Sequence, residues 1–218
     1  METRLGSHAA LADDRRPRRM TKTYDRAYFD GWYRDAGIHD AARLARKVAI
    51  AVATAEYHLE RPLRTVLDVG CGEGAWRAPL LRLRPKARYL GFDSSEYAVA
   101  RHGARRNLHF ARFADFEHLR PCPPVDLLVC SDVLHYLGAR EIDRGLPGLA
   151  ALCGGVAFLE TFARGDAMEG DTVGFQRRPA RFYRERFARA GFVALGSHLY
   201  LAAARAADAA ALELPAGR

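Results

Sequence analysis

The stretch TVLDVGCGEGAW, residues 65–76, constrains the fold of this chain more than any other part of the sequence. A short apolar run ends at Asp68, and glycines then follow at every second position, Gly70, Gly72 and Gly74. Glycine lets the backbone turn sharply and approach a ligand closely, because no Cβ stands in the way. The stretch therefore predicts a buried strand, a tight loop suited to a ligand, and the start of a helix.

Strand-like and helix-like segments alternate through most of the chain. The predicted strands are RTVLDVG, RYLGFD, LHFARFAD, PPVDLLVCSDVLHYL and GGVAFLETF, and the predicted helices are AWRAPLLRLR, SEYAVARHGARR and IDRGLPGLAALC. We expect Pro147 and Gly148 to interrupt the last of these helices. This rhythm predicts an α/β fold with a parallel, doubly wound sheet, and the near-continuous apolar strands indicate a sheet covered on both faces. Further on, PARFYRERFARAGF predicts a helix, and VALGSHLYLAAA predicts one strand or a hairpin turning at Gly196 and Ser197.

The 218 residues are sufficient for one domain with a full core. We interpret residues 1–20, which include RRPRR, as a flexible basic tail that carries part of the net charge of +8. Residues 21–62 combine an aromatic segment with a helix that is capped by Asp40 and ended by Pro62, and residues 63–218 form the core. A polar, glycine-rich insertion spans residues 163–181.

Charge, cysteines and hydropathy exclude several classes of protein. The four cysteines are far apart and form no metal-ligand spacing, so we predict neither a metal site nor a disulfide framework. No apolar stretch is long enough to cross a bilayer, and the start has no secretory signal, which predicts a cytoplasmic protein without membrane contact.

The glycine loop is expected at the carboxyl ends of the strands, where open parallel sheets bind ligands. The dinucleotide pattern G-x-G-x-x-G has its last position here at Ala75, which only the looser form of the pattern permits. A carboxylate at Asp68 disfavours a pyrophosphate and suits an ammonium group, such as the amino acid end of S-adenosylmethionine. Asp93, at the end of the second strand, suits ribose hydroxyls in either cofactor. Asp115 is a candidate acceptor for an adenine amino group, with Phe116 beside the ring.

At this point the chain resembles the class I S-adenosylmethionine-dependent methyltransferases. The resemblance rests on LDVGCGEG, YLGFDSSEYAV, FADFEHL, DLLVCSDVLHYL and GGVAFLETF, in the order and at the intervals usual in that family, over residues 64–195. It implies a Rossmann-like, three-layer α/β/α sandwich whose mostly parallel sheet has seven strands, or six if the final hairpin is absent.

The resemblance also implies the parts of a cofactor site, with S-adenosyl-L-methionine as donor and S-adenosyl-L-homocysteine as product. The glycine loop, including Cys71, would line the methionine part, Asp93 with Ser94 the ribose, and Asp115 with Phe116 the adenine. Ser131 and Asp132 would lie beside the sulfonium.

Methyl transfer requires alignment of the acceptor, and it requires a base only where the acceptor arrives protonated. His135 is a candidate base or a ring that packs against the cofactor. Glu160, at the end of the fifth strand, could orient an amine or brace the sheet. Tyr24, Tyr28 and Tyr33 are expected to form a lid with Tyr24 at the reaction centre, unless they only dock the first helix.

The acceptor site is predicted within and just beyond the insertion. Arg177 and Arg178, with Tyr183, could bind a carboxylate or phosphate, or they could form a solvated face. We predict a small-molecule methyltransferase acting on N, O or S, as a monomer or homodimer. The alternatives are an RNA or protein methyltransferase, a nicotinamide-dependent oxidoreductase and a non-catalytic cofactor-binding protein. The loop SDVLHY differs from the Asn/Asp-Pro-Pro-Tyr/Phe loop of nucleic-acid amino methylases, which disfavours a nucleic-acid partner.

Overall fold

The computed structural model describes residues 24–31, 40–167 and 171–214. Its strands are β1 (Thr65–Val69), β2 (Arg88–Asp93), β3 (Leu108–Phe110), β4 (Val125–Ser131), β5 (Cys153–Glu160), β6 (Val193–Gly196) and β7 (Leu199–Leu201). Its α-helices are α1 (Arg26–Phe29), α2 (Ala41–Leu59), α3 (Arg77–Leu83), α4 (Glu96–Arg106), α5 (Ala139–Leu152) and α6 (Ala180–Arg189). The predicted basic tail, and Tyr33 of the predicted lid, lie outside the described residues.

The strands form one seven-stranded sheet in the order β3-β2-β1-β4-β5-β7-β6. The pairings from β3 through β5 are parallel, and β7 runs antiparallel to both of its neighbours. The last two strands form a hairpin whose turn residues, Ser197 and His198, both have positive φ. The predicted α/β fold and its seven strands are confirmed, and the open choice near Gly196 resolves as a hairpin.

The core lies on both faces of the sheet, because alternate residues of each strand point to opposite sides. On β4, Leu128 and Cys130 face a cluster that includes α5 and α6, whereas Leu127 and Val129 face a cluster that includes α2 and α3. All four side chains are fully buried. These two clusters account for the three layers of the sandwich.

Helix α2 begins where the sequence predicts, and it ends before the predicted residue. The side chain of Asp40 accepts a hydrogen bond from the backbone N–H of Ala42 at 2.8 Å, which caps the helix. The helix ends at Leu59, where Glu60 adopts a left-handed conformation, so it stops before Pro62 rather than at it.

Helix α5 is continuous, and the predicted interruption at Pro147 and Gly148 is wrong. The two glycines of this helix allow it to pack closely on the 3-10 helix Phe113–Glu117. A Cβ on Gly145 would lie 2.2 Å from the carbonyl oxygen of Phe113, and one on Gly148 would lie 1.7 Å from that of Phe116. Glycine is therefore required here for the close approach of two backbones rather than for a break.

The third predicted strand is shorter than expected. LHFARFAD forms a strand only over Leu108–Phe110, and the following residues turn into the 3-10 helix. The four cysteines are free thiols. In the described ranges, no helix is long and apolar enough to span a bilayer.

Candidate active site

A cavity of about 410 Å³ opens at the carboxyl ends of the parallel strands. Strand order reverses between β1 and β4, which is where sheets of this kind bind ligands. The volume of the cavity falls within the range of small-molecule sites. Eleven of the predicted site residues line it: Tyr24, Tyr28, Asp68, Gly70, Cys71, Gly72, Asp93, Ser94, Ser131, Asp132 and Glu160.

The loop after β1 holds its shape through glycine conformations that other residues seldom adopt. Gly70, Gly72 and Gly74 all have positive φ, at 75°, 53° and 77°. A Cβ on Gly70 would come within 2.2 Å of the Val133 side chain, so this glycine allows β1 and the segment after β4 to approach. Gly74 does not line the cavity; a Cβ there would instead meet Leu108 at 3.1 Å.

Asp68 presents a buried carboxylate to the cavity. Its side chain accepts a hydrogen bond from the Tyr89 hydroxyl at 2.6 Å, and the residue is only 2% exposed. Burial raises the pKa of Asp68 to about 7, and the hydrogen bond from Tyr89 opposes that rise. A carboxylate so deprived of water gains most from a cationic partner, which is the reason to expect a ligand ammonium here.

Asp93 connects the loop to the start of α4. One carboxylate oxygen accepts a hydrogen bond from the Gly72 N–H at 2.7 Å, and the other accepts from the Ser95 N–H at 2.8 Å. Burial raises the pKa of Asp93 although these backbone hydrogen bonds lower it. The side chain braces the loop and faces the cavity at the same time.

Glu160, at the end of β5, is held by Lys47 and Ser131, which also line the cavity. Lys47 of α2 lies 2.6 Å from one carboxylate oxygen and 2.7 Å from the other, and the Ser131 hydroxyl donates at 2.6 Å. Burial would raise the pKa of Glu160, but these contacts outweigh it and lower the pKa. Lys47 could not be predicted as a site residue, because nothing in the helical periodicity of α2 indicates which polar position faces the sheet.

The aromatic segment before α2 is anchored at the rim of the cavity. The carbonyl of Tyr24 accepts a hydrogen bond from the Ser95 hydroxyl at 2.6 Å, and the rings of Tyr24 and Tyr28 meet edge to face at 5.0 Å. Tyr136, which the sequence analysis did not single out, also lines the cavity and donates to the carbonyl of Asp171 at 2.7 Å. Burial, with the nearby carboxylates Asp93 and Asp171, raises the pKa of Tyr24 to about 12.

His135 is not placed to act as a base on a bound ligand. The residue is fully buried and does not line the cavity; its ring packs against Tyr136, Phe162 and Phe175. Its Nε2 lies 3.2 Å from the Asp132 carboxylate without forming a hydrogen bond. The structure places His135 as a buried ring behind Asp132, which does not support the predicted catalytic base or cofactor-stacking ring.

Asp115 and Phe116 do not reach the cavity. The carboxylate of Asp115 accepts the backbone N–H of Arg112 at 2.8 Å and so caps the 3-10 helix. The ring of Phe116 is fully buried against Phe92. The structure therefore gives no support to the predicted adenine contacts, because the predicted strand ends early and turns both side chains elsewhere.

The predicted acceptor cluster does not form either. Arg177 is exposed, while Arg178 donates to the carbonyl of Leu137 at 2.6 Å and stacks on Phe182. Tyr183 lies in the core, 3% exposed. None of the three lines the cavity, which the insertion reaches instead through Ala167.

Part of the chain is similar in sequence to known methyltransferases. Residues 67–155 match the family described as a methyltransferase domain. Trans-aconitate 2-methyltransferase from Methylobacterium nodulans is 42% identical over 81 residues, covering 36% of this chain and 30% of that protein. Its counterpart from Deinococcus radiodurans is 39% identical over 80 residues, again covering 36% and 30%. The match thus spans about a third of the length of these relatives.

Solved structures share the fold. Magnesium protoporphyrin IX methyltransferase from Synechocystis, with bound S-adenosylhomocysteine, aligns with a TM-score of 0.57 at 20% identity, covering 82% of this chain and 94% of the other. A sugar N-methyltransferase from Streptoalloteichus aligns with a TM-score of 0.58 at 18% identity, covering 88% and 91%.

The fold is that of the methyltransferase structures with which the chain aligns. Over residues 67–155 the chain matches the methyltransferase-domain family. The prediction of a methyltransferase family from the glycine loop is confirmed over the matched residues.

Proposed function

We propose that this chain transfers a methyl group from S-adenosylmethionine to a small-molecule acceptor. One observation carries the proposal: a glycine loop and two buried or half-buried carboxylates, Asp68 and Asp93, meet in one cavity at the reversal of strand order. The relatives named for a small acceptor, trans-aconitate, support a small-molecule substrate.

The residues present fit the cofactor. Asp68 offers an under-solvated carboxylate for its ammonium group, and the loop from Gly70 to Gly72 offers backbone without side chains in the way. Asp93 and Ser94 line the same cavity, and we assign them to the ribose hydroxyls. A pyrophosphate would meet the Asp68 carboxylate, which argues against a dinucleotide. When bound, the cofactor supplies an electrophilic methyl group.

The chain's own residues would then orient the acceptor and exclude water. Tyr24 and Tyr28 line the cavity, where the Ser95 hydroxyl holds the carbonyl of Tyr24, and we assign them to enclosing the acceptor. Glu160 faces the cavity, but Lys47 and Ser131 engage its carboxylate, so we assign it to bracing rather than to proton transfer. Tyr24 keeps its proton near neutral pH, and its raised pKa makes it a weaker acid than an ordinary tyrosine.

The proposal also covers the size of the acceptor, the compartment, the oligomeric state and the role of residues 1–20. A cavity of about 410 Å³ beneath an aromatic segment favours a small acceptor over RNA or protein. We propose that nucleic acid is not a partner, that the chain works in the cytoplasm as a monomer or homodimer, and that residues 1–20 are dispensable.

Calorimetric titration separates these functions. We expect S-adenosylmethionine and S-adenosylhomocysteine to bind at one site per chain, and NAD to give no binding heat. Binding of NAD alone would refute the proposal and favour an oxidoreductase. A chain that binds S-adenosylmethionine, yet methylates no member of a broad panel of amines, alcohols, thiols and acids, would match the non-catalytic alternative.

A further inference from the structure

Asp132 differs from the other carboxylates of the cavity in its hydrogen bonding. Within the described residues, no hydrogen bond reaches its side chain, which is 56% exposed. The other four lining carboxylates each accept hydrogen bonds from the protein: Asp40 from Ala42, Asp68 from Tyr89, Asp93 from Gly72 and Ser95, and Glu160 from Ser131 and Lys47. Asp132 is therefore the lining carboxylate whose hydrogen-bonding capacity is left for a ligand.

The backbone and a buried ring hold Asp132 in place. Its φ is 64°, a left-handed conformation that aspartate adopts more readily than most residues. Its N–H donates to the carbonyl of Glu160 at 3.0 Å. Behind the side chain lies the fully buried His135, with Nε2 3.2 Å from the carboxylate. Asp132 thus lies between a rigid imidazole on the protein side and the cavity on the other.

Aromatic rings line the same cavity. Tyr24, Tyr28, Tyr136 and Phe162 all contribute to its wall. The carboxylate of Asp132 lines the same cavity as both tyrosines, and it is among the charges that, after burial, raise the pKa of Tyr24 and Tyr28. Aromatic faces attract cations, and they do so more strongly when water is excluded. A carboxylate beside such rings is an arrangement suited to an ammonium group.

The charged side chains that line the cavity also favour a cationic ligand. Five described lining residues are acidic, whereas Arg43 and Lys47 are the two basic ones, and Lys47 is already paired with Glu160. The wall is thus acidic although the chain carries a net charge of +8. Such a wall repels an anionic acceptor and attracts a cationic one.

We propose that the acceptor is a small molecule bearing an amino group, and that Asp132 binds the N–H of that group between the tyrosine rings. His135 is a positioning residue that supports Asp132 from behind. This assignment rests on the proposed function and specifies the acceptor side of the same cavity.

The test uses three probes that share an aromatic ring and differ in their polar group: 2-phenylethylamine, 2-phenylethanol and 3-phenylpropanoate. Each is titrated into the full chain already saturated with S-adenosylhomocysteine. We expect the amine to bind at least about tenfold more tightly than the carboxylate, a difference of about 1.4 kcal/mol. Asp132→Asn should remove that preference, and asparagine tolerates the left-handed conformation, so the fold is retained.

Asp143→Asn is the matched control, since Asp143 pairs with Arg186 outside this cavity. It should leave the amine preference unchanged. The inference is overturned if the carboxylate binds as tightly as the amine, if the amine does not bind, or if Asp132→Asn leaves the amine affinity unchanged. It is also overturned if Asp132→Asn weakens S-adenosylhomocysteine about tenfold, because Asp132 would then belong to the cofactor site. Absence of S-adenosylhomocysteine binding to the unaltered chain is a different result, which refutes the proposed function itself.

Discussion

The burial of Asp68 reduces the stability of the folded chain by an amount that depends on pH. Its folded-state pKa, about 7, lies above the ordinary value of 3.8, so the folded chain binds this proton more tightly than the unfolded chain does. The contribution of Asp68 is therefore least unfavourable at low pH, and it reduces stability progressively as pH rises between those two values. A ligand ammonium would offset this effect.

Asp68→Asn should stabilise the cofactor-free protein at pH 8 and weaken its affinity for S-adenosylmethionine. The gain in unfolding free energy over the unaltered chain should grow by about 2–3 kcal/mol between pH 5 and pH 8, because aspartate at this position ionises and asparagine does not, while the other groups are common to both proteins. Urea unfolding at a series of pH values measures the gain. A gain that is constant with pH would show that Asp68 does not titrate in this range.

Asp93→Ala should lower the affinity for S-adenosylmethionine by about 10- to 100-fold. The expectation combines the loss of charge-assisted hydrogen bonds to the ligand, worth about 1.5–3 kcal/mol, with loss of the brace on Gly72. Calorimetry measures the effect. Asp115→Ala is the control, since that carboxylate lies outside the cavity and should leave the affinity within about twofold. Equal losses in the two variants would contradict the positions described for both residues.

Single residues were predictable where a strand end determines their position. Asp68 and Asp93 follow from the apolar runs that precede them, and both line the cavity. The positions of His135 and Asp115 could not be predicted, because each residue lies beyond the end of a strand in an irregular segment. There the choice between cavity and interior depends on local turns, such as the 3-10 helix that Asp115 caps.

At the scale of elements, Lys47 and Glu160 join α2 to the end of β5. Lys47→Met would leave Glu160, 3% exposed, without its cation. We expect a loss of about 2–4 kcal/mol in unfolding free energy at pH 7, reduced from the usual cost of breaking a buried pair because Lys47 is 27% exposed. The ionised, low-pKa Glu160 contributes stability that is lost as pH falls, so the difference between variant and unaltered chain should shrink in acid.

Lys86→Met, which alters an exposed lysine, should change the unfolding free energy by less than about 0.5 kcal/mol. The double variant Lys47→Met/Glu160→Gln should recover part of the loss, because no unpaired charge remains. Chemical denaturation gives all three values. If Lys47→Met proved as stable as the unaltered chain at pH 7, the pair would not hold α2 to the sheet.

Gly148→Ala distinguishes helix propensity from packing in α5. Propensity alone predicts a gain of about 1 kcal/mol, since alanine is the better helix former. The Cβ, however, would lie 1.7 Å from the carbonyl oxygen of Phe116, and we expect a net loss of about 1–3 kcal/mol. Gly31→Ala, which meets no atom within 4 Å, should be nearly neutral. A stabilised Gly148→Ala protein would contradict the close packing of α5 on the 3-10 helix.

Helix α5 also shows why its continuity could not be predicted. Proline and glycine inside a helical pattern ordinarily indicate a break. Their tolerance here depends on the residues that α5 packs against, which are distant in sequence. By contrast, α2 was predictable from its apolar spacing and the cap at Asp40, both of which are local signals.

At the scale of the whole molecule, the alternation of strands and helices was sufficient to predict the doubly wound sheet. The strand order could not be predicted, since periodicity contains no information on which strands are neighbours, and the final hairpin was predicted only as one of two choices. The cavity forms where β1, β2, β4 and β5 end together. Its acidic wall could not be predicted from the net charge, because the excess of arginine lies largely elsewhere on the chain.

The structure of the chain with S-adenosylhomocysteine bound tests the central claim most directly. The account predicts that the amino acid end of the ligand lies against Gly70–Gly72 with its ammonium near Asp68, that its ribose contacts Asp93, and that its sulfur faces the tyrosine-lined part of the cavity. A ligand bound elsewhere, or one whose ammonium lies away from Asp68 with Asp93 contacting only the protein, would contradict the account.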